Sequence, residues 1–396
     1  MGKILFAILK FFKFFRLLRL RITGKTMADI HSERIVTGRT WEDFCERLKS
    51  AGAALLYPEA PGDPFQQAEG VRYLSRLTRA ALEAYVEYNN PEFPELRRMV
   101  HETVKLGADN PDNYYQNAQI NGNYEYRITG KRNTIDYLGF FTQNGNYGTT
   151  GGLSPCGVLE DKDLKIGRDG SFEIILSKTK KGENWLRMEE ETSLLMVRQT
   201  FSDRKNEKPA DLTIENLNGQ NAPDPVTPEK IDKGLETAAL FVAGAPMLFA
   251  RWAKGFKKHP NRLPVFDPET SNAAGGDANI VYHHSYWKLE EDEALVIEFT
   301  PPDCDTWNFQ LNNYWMESLD YRYFPVLINK HNAVTGKDGS VKITVSHRIH
   351  GFTNWIDTCG HREGTMCLRW YRLKNDADTA EPECKVVKIP DIAKDE

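Results

Sequence analysis

The sequence predicts an α+β protein with a helical N-terminal part, a β-rich middle and an antiparallel jelly-roll-like β-sandwich at the C-terminus. Three observations predict it. Apolar residues recur at helical spacing over the first hundred residues, the period changes to two near residue 114, and short strand-like runs fill 279–372. With 396 residues, 40% apolar and 27% charged, the composition is that of a globular protein and excludes a disordered or collagen-like chain. The expected organisation is a basic amphipathic segment at 1–26 and a helical region at 27–110. A β-rich middle domain with one long helix follows at 111–260, and the sandwich occupies 261–396.

The opening segment differs from the rest. Residues 1–28 carry seven cations (Lys3, Lys10, Lys13, Arg16, Arg19, Arg21, Lys25) and no acid. On a helix, Ile4, Ile8, Phe11, Phe15, Leu18 and Ile22 share one face, while Lys10, Lys13, Arg16 and Arg19 share another. Four cations within one span, each costing roughly 2.5–3.5 kcal/mol at the bilayer centre, oppose crossing. No small-residue cleavage site follows, so a secretory signal fits badly. Two readings stay open. Residues 3–22 form an interfacial helix on an anionic membrane surface, or translation begins at Met27. The remaining 44 basic and 56 acidic side chains leave the body at −12, which repels phosphate backbones, so no nucleic-acid partner is expected. Six scattered cysteines without a C-x-x-C pattern read as reduced thiols of a cytoplasmic chain, peripheral at the membrane if the basic helix is used.

Taken in order, Thr40 before Trp41-Glu42-Asp43 reads as a helix cap, with Phe44, Cys45 and Leu48 following at helical spacing. A Pro/Gly-rich break at 58–64 precedes a helix carrying Val71, Leu74, Leu77, Ala81, Tyr85 and Val86, which stops at Asn89-Asn90-Pro91. Pro94 is expected to open a third helix, reaching Leu106. Strands are expected at 124–128, 134–142, 171–176, 193–201 and 211–217, with residues 130–133 a hairpin link between the first two and 144–157 a loop. Thr227, Pro228 and Glu229 begin a long helix running to about Lys257. An irregular connection to Asp277 follows, then six strands over 279–372 and one more at 385–389. No internal repeat is evident.

No G-x-S-x-G, G-x-x-x-x-G-K-[ST], H-E-x-x-H or G-x-G-x-x-G motif is present, which lowers the prospects of hydrolase, P-loop and dinucleotide chemistry. Residues 307–323 concentrate rings, amides and charges. Trp307, Asn313, Tyr314, Trp315 and Arg322 are candidate ligand contacts, because flat rings cover the C–H face of a sugar while polar groups bond its hydroxyls. The alternative is that these rings fill a core. Glu317 and Asp320 are a candidate acid–base pair if a turn brings them together, since a straight strand puts them on opposite faces. His284 is a candidate general base. Arg198 shares a strand face with Leu194 and Met196, so its guanidinium needs an internal carboxylate, with Glu125 or Asp203 as candidates, or an anionic ligand. Arg127 and Arg369 occupy similar mid-strand positions. His283 and His284 point to opposite sheet faces, and no cupin-like ligand pattern appears, so neither metal nor cofactor is expected. Gly275-Gly276-Asp277 reads as a flexible connection rather than a phosphate cradle.

The segments Tyr286-Trp287, Trp307-Asn308-Phe309-Gln310-Leu311 and Asn313 through Arg322 stand in a distinctive order. Asp338-Gly339-Ser340, His347, Asn354-Trp355 and Leu368-Arg369-Trp370 continue it. Over residues 280–372 the chain resembles the family called domain of unknown function 1214. Upstream, Tyr124-Glu125-Tyr126-Arg127 and Arg198-Gln199-Thr200-Phe201 are similar to what precedes that domain in one subgroup. The resemblance implies a jelly-roll-like β-sandwich and no established activity. Many members follow Asn-Trp with Leu-Pro-Ala-Pro and a Gly-Pro turn, whereas this chain has Ile356 through Gly364 there, so a ligand site in that loop would differ.

The functional expectation is a small-molecule ligand, polar and either carbohydrate-like or anionic, bound in a cleft where the two β-rich parts meet. One alternative is a metal-free hydrolase or lyase using Glu317, Asp320 or His284. The other is a membrane-surface scaffold anchored by residues 3–22.

Overall fold

The computed structural model describes residues 24–145, 153–348, 351–374 and 379–392. The amphipathic helix expected at 3–22 lies outside them. Helix α1 (Met27–Val36) opens with a reciprocal cap, Thr26 and Asp29 each bonding the other's backbone N–H. Helix α2 (Arg39–Ala51) follows after Gly38, whose φ of 76° makes the bend. Thr40 is therefore not the cap. It sits inside α2, where its hydroxyl donates to Asp232 Oδ1 at 2.6 Å.

Helix α3 (Pro64–Leu82), capped by Asp63, runs into a π-helical turn at Glu83–Glu87. Helix α4 (Pro228–Phe256) begins as its sequence dictates, with Thr227 accepting from the Lys230 N–H at 3.2 Å and Pro228 in the first position. By length and composition α4 is able to span a membrane, yet over half of its apolar stretch is buried within the protein. It is a core helix. Leu235, Ala238, Val242, Phe249 and Phe256 pack with Phe44, Tyr73, Leu77 and Tyr85 of the preceding helical region.

The expected helix at 94–106 does not form. Arg97 exchanges both backbone hydrogen bonds with Asn117 at 2.8 Å, so tertiary pairing at a sheet edge overrides local helix propensity.

Eight strands follow: β1 (Asn113–Gln119), β2 (Tyr126–Lys131), β3 (Tyr137–Asn144), β4 (Ser154–Glu160), β5 (Ser171–Ser177), β6 (Trp185–Arg187), β7 (Thr192–Thr200) and β8 (Asp211–Asn216). They make two sheets, β1-β7-β3-β4 and β6-β5-β2-β8. Ile128, Phe140, Ile174, Leu195 and Val197 meet between them as one core. The predicted β2–β3 hairpin is a crossover, since β2 pairs with β5 and β8 while β3 pairs with β4 and β7. After α4 and the short helix α5 (Pro268–Ala273) come β9 (Ile280–Lys288), β10 (Glu293–Phe299), β11 (Cys304–Leu311), β12 (Leu327–Asn329), β13 (Val341–Ser346), β14 (Trp355–Asp357), β15 (Glu363–Leu373) and β16 (Glu383–Lys388). These form the sheets β12-β11-β15-β9 and β14-β13-β10-β16. Trp287, Ile297, Trp307, Phe309, Ile343 and Trp370 fill the space between them.

The two sandwiches repeat one topology. Renumbering the second set from one turns its sheet orders into those of the first, including the single parallel pair in each, β5 with β6 and β13 with β14. An internal duplication is thus present in structure where none was evident in sequence.

Candidate functional site

A cavity of about 180 Å³ lies between the outer faces of the β1-β7 and β9-β15 pairs, closed on a third side by α4. Strand alternation decides which side chains reach it. In β7, Leu195 and Val197 enter the sandwich core, so Leu194, Met196 and Arg198 face the cavity. In β15, Leu368 and Trp370 enter the other core and leave Arg369 and Tyr371 on the cavity wall. Tyr115 of β1 and Tyr282 and His284 of β9 complete the strand walls, while Phe241, Phe249 and Trp252 project from α4. Gly107 closes one end. Its φ is 62° and a Cβ there would lie 2.7 Å from the Phe249 ring, so only glycine fits.

The two arginines are differently satisfied. Arg198 Nη1 donates to Asp277 Oδ2 at 2.9 Å and Nη2 to the Gly275 carbonyl at 2.7 Å. Arg369 is also buried, but its partners among the described residues are neutral: Gln310 Oε1 at 2.6 Å, Asn308 Oδ1 at 3.3 Å and the Ala108 carbonyl. Two buried acids, Asp109 and Asp112, feel its charge but make their hydrogen bonds to other groups. Asp109 accepts from the backbone and hydroxyl of Ser318, and burial pushes its carboxyl up from the usual range. Asp112 accepts from Asn308 and Asn329, and burial pushes it up to about 6.

His284 is pushed down to about 3 by burial and by Arg369, so it is neutral near pH 7. It is stacked on Tyr282 at 5.5 Å, and its Nδ1 is buried without a hydrogen-bond partner among the described residues. Burial also raises Tyr282, to about 12, and keeps its hydroxyl protonated.

Of the sequence-predicted residues, the structure brings Arg198, Arg369 and His284 to this cavity. Arg198 is paired with Asp277, not with Glu125 or Asp203, and the Gly275-Gly276-Asp277 connection forms part of the wall. The other candidates are elsewhere. Trp307 is sealed in the C-terminal core, 5.1 Å from the Phe299 ring. Trp315 is buried against the helical layer with its Nε1 donating to the Gln66 carbonyl at 3.2 Å, and Tyr314 packs beside it at 4.9 Å.

Glu317 and Asp320 are not a pair. Glu317 is buried with Arg76 at 2.7 Å and Asn313 at 2.9 Å, and burial raises its carboxyl despite the arginine. Asp320 is held bidentately by Arg322 at 2.8 and 2.7 Å, which lowers it. Arg127 lies half-exposed between Glu173 and Glu215. Sequence reasoning passed over Tyr115, Tyr282 and Trp252. Neither of the first two stood out, because both faces of β1 and β9 carry polar residues, Gln116 in one and His283 and Ser285 in the other.

Fold and cavity together define a double β-sandwich α+β protein with a ligand-sized chamber between its repeats. Its backbone matches the crystal structure of an uncharacterised protein from Burkholderia cenocepacia with a TM-score of 0.88 at 48% identity, over 91% of this chain and 99% of that one. The chain belongs to the same family as that protein. A Vibrio parahaemolyticus protein aligns over 86% of this chain and 100% of its own, at 13% identity and a TM-score of 0.45. No family model matches the sequence, and no curated protein does.

Proposed function

We propose that this protein binds a small organic monoanion, of the aromatic carboxylate class, in the chamber between its sandwiches. The supporting observation is Arg369, a buried guanidinium whose hydrogen-bond partners among the described residues are all neutral oxygens, at the wall of a largely apolar cavity. Asp109 and Asp112 feel its charge without bonding it, and a buried cation lacking a hydrogen-bonded counter-ion is costly, which a ligand carboxylate offsets with charge-assisted hydrogen bonds. An apolar cavity of roughly 150 Å³ admits benzene, so about 180 Å³ suits one ring carrying a carboxylate. Phe241, Phe249 and Trp252 offer that ring faces and edges.

The carbohydrate-like alternative loses its support, because the rings that would stack on a sugar lie in packed cores. Acid–base catalysis is not proposed, since Glu317 and Asp320 are each committed to a different arginine. We also read the C-terminal sandwich as a member of the domain of unknown function 1214 family, on the motifs that carry the resemblance.

Melting temperature measured against benzoate, phenylacetate, benzyl alcohol and glucose tests the binding reading. A ligand at a hundred times its Kd adds about 2.7 kcal/mol to stability. The acids are expected to raise the melting point of the wild type and not of Arg369→Met, with the alcohol and sugar weak in both. Equal shifts in both proteins would defeat it.

A further inference from the structure

The duplication extends to individual contacts of the cavity. In the register of β1 with β7, Tyr115 stands opposite Arg198, and in that of β9 with β15, Tyr282 stands opposite Arg369. Five residues before each tyrosine stand Asn110 and Asp277, and seven before stand Ala108 and Gly275. The Asn110 N–H donates to Tyr115 Oη at 3.1 Å, and the Asp277 N–H donates to Tyr282 Oη at 3.1 Å. The Asn110 side chain accepts from the Asp112 N–H at 2.9 Å, as Asp277 accepts from that of Asn279 at 2.9 Å. Ala108 and Gly275 both have positive φ, 57° and 84°. Their carbonyls accept from Arg369 Nη2 and Arg198 Nη2 respectively. Each arginine thus reaches the loop that leads into the other repeat, the reciprocal pattern of a two-fold interface.

The two ends differ in where the acid stands: the first loop has Asn110 and Asp112 where the second has Asp277 and Asn279. Asp277 gives Arg198 a carboxylate, whereas its counterpart Asn110 gives Arg369 none. Asn110 instead spends its amide on Tyr371 Oη at 2.6 Å and Asn113 at 3.2 Å.

We infer that the ligand's carboxylate takes, against Arg369, the role the Asp277 carboxylate plays against Arg198, and that Asn110 is the specificity residue keeping that pole open. This rests on the binding reading above and adds ligand valence to it. With one pole filled by the protein's own acid, the chamber accepts monocarboxylates and excludes dicarboxylates. The Nδ1 of His284, without a hydrogen-bond partner among the described residues, is a second buried polar atom on the same wall.

The test compares benzoate with isophthalate and terephthalate on the wild type, Asn110→Asp and Asp277→Asn, by calorimetric titration, with near-ultraviolet circular dichroism reporting folding. Benzoate is expected to bind the wild type and the dicarboxylates not. Asn110→Asp supplies an internal acid, and like-charge juxtaposition should weaken benzoate binding by roughly a hundredfold. Asp277→Asn frees Arg198 and should let a dicarboxylate bind. Unchanged benzoate affinity in folded Asn110→Asp overturns the inference, and so do dicarboxylates that bind the wild type as well as benzoate does. Should Asn110→Asp not fold, the dicarboxylate comparison between wild type and Asp277→Asn decides alone. Failure of every acid to bind the wild type removes the binding reading itself, a result separable from the others.

Discussion

Arg198 and Arg369 make opposite demands on the protein. Both are buried cations in β-strands, and the neighbouring groups hold both guanidiniums above their ordinary range against the cost of burial. Removing Arg198 strands Asp277 as a buried anion, and breaking such a pair costs about 3–5 kcal/mol. Removing Arg369 breaks hydrogen bonds to neutral oxygens only, beside a cavity that water can enter, and takes its charge from Asp109 and Asp112, which it does not bond; that costs about 1–3 kcal/mol. Urea unfolding of Arg198→Met and Arg369→Met should therefore show a clearly larger loss for the first. Equal losses would mean that Arg369 has an internal counter-ion after all, and the case for an anionic ligand would go with it.

Asp232 shows how a single side chain fixes the helical layer. It lies in the first turns of α4, buried, and accepts from His31 of α1 at 2.7 Å, Arg34 of α1 at 3.0 Å and Thr40 of α2 at 2.6 Å. Burial opposes its ionisation, but the hydrogen bonds from Thr40, His31 and Arg34 outweigh that and hold its carboxyl below the usual range. A depressed acid contributes stability above its unfolded pKa and loses it as pH falls through the folded one. Asp232→Ala should cost about 3 kcal/mol at pH 7, and the gap from wild type should close as pH falls below about 4. A gap that persists undiminished at pH 2.5, read from denaturant midpoints at ~0.5-unit steps, would assign the loss to packing rather than charge. Elements like α4 were legible because cap, first-turn proline and apolar periodicity agree locally. The segment 94–106 was not, because its backbone hydrogen bonds go to Asn117, a partner no window of local sequence contains. For the same reason 130–133 reads as a hairpin turn although it carries the chain from one sheet to another.

Across the whole molecule, the chamber exists because two copies of one topology place equivalent strand faces against each other, with α4 as the third wall. Strand alternation made Arg198 legible as a buried cation needing a partner. The identity of that partner was not, since Asp277 arrives from the second repeat. Nor was the repeat itself, because a sandwich requires only alternating apolar positions, and the Tyr115/Tyr282 and Arg198/Arg369 correspondences emerge only once the strands are paired. The shared wall has a consequence for dynamics. A ligand bound to one self-contained sandwich would slow local opening there alone, whereas one seated between repeats must be released before either face moves away. Hydrogen exchange with saturating benzoate should therefore protect amides of β1 and β7 together with those of β9 and β15. The outer sheets, β6-β5-β2-β8 and β14-β13-β10-β16, should change less. Protection confined to one repeat would place the ligand outside the chamber and leave the reciprocal arginine contacts as purely structural ties.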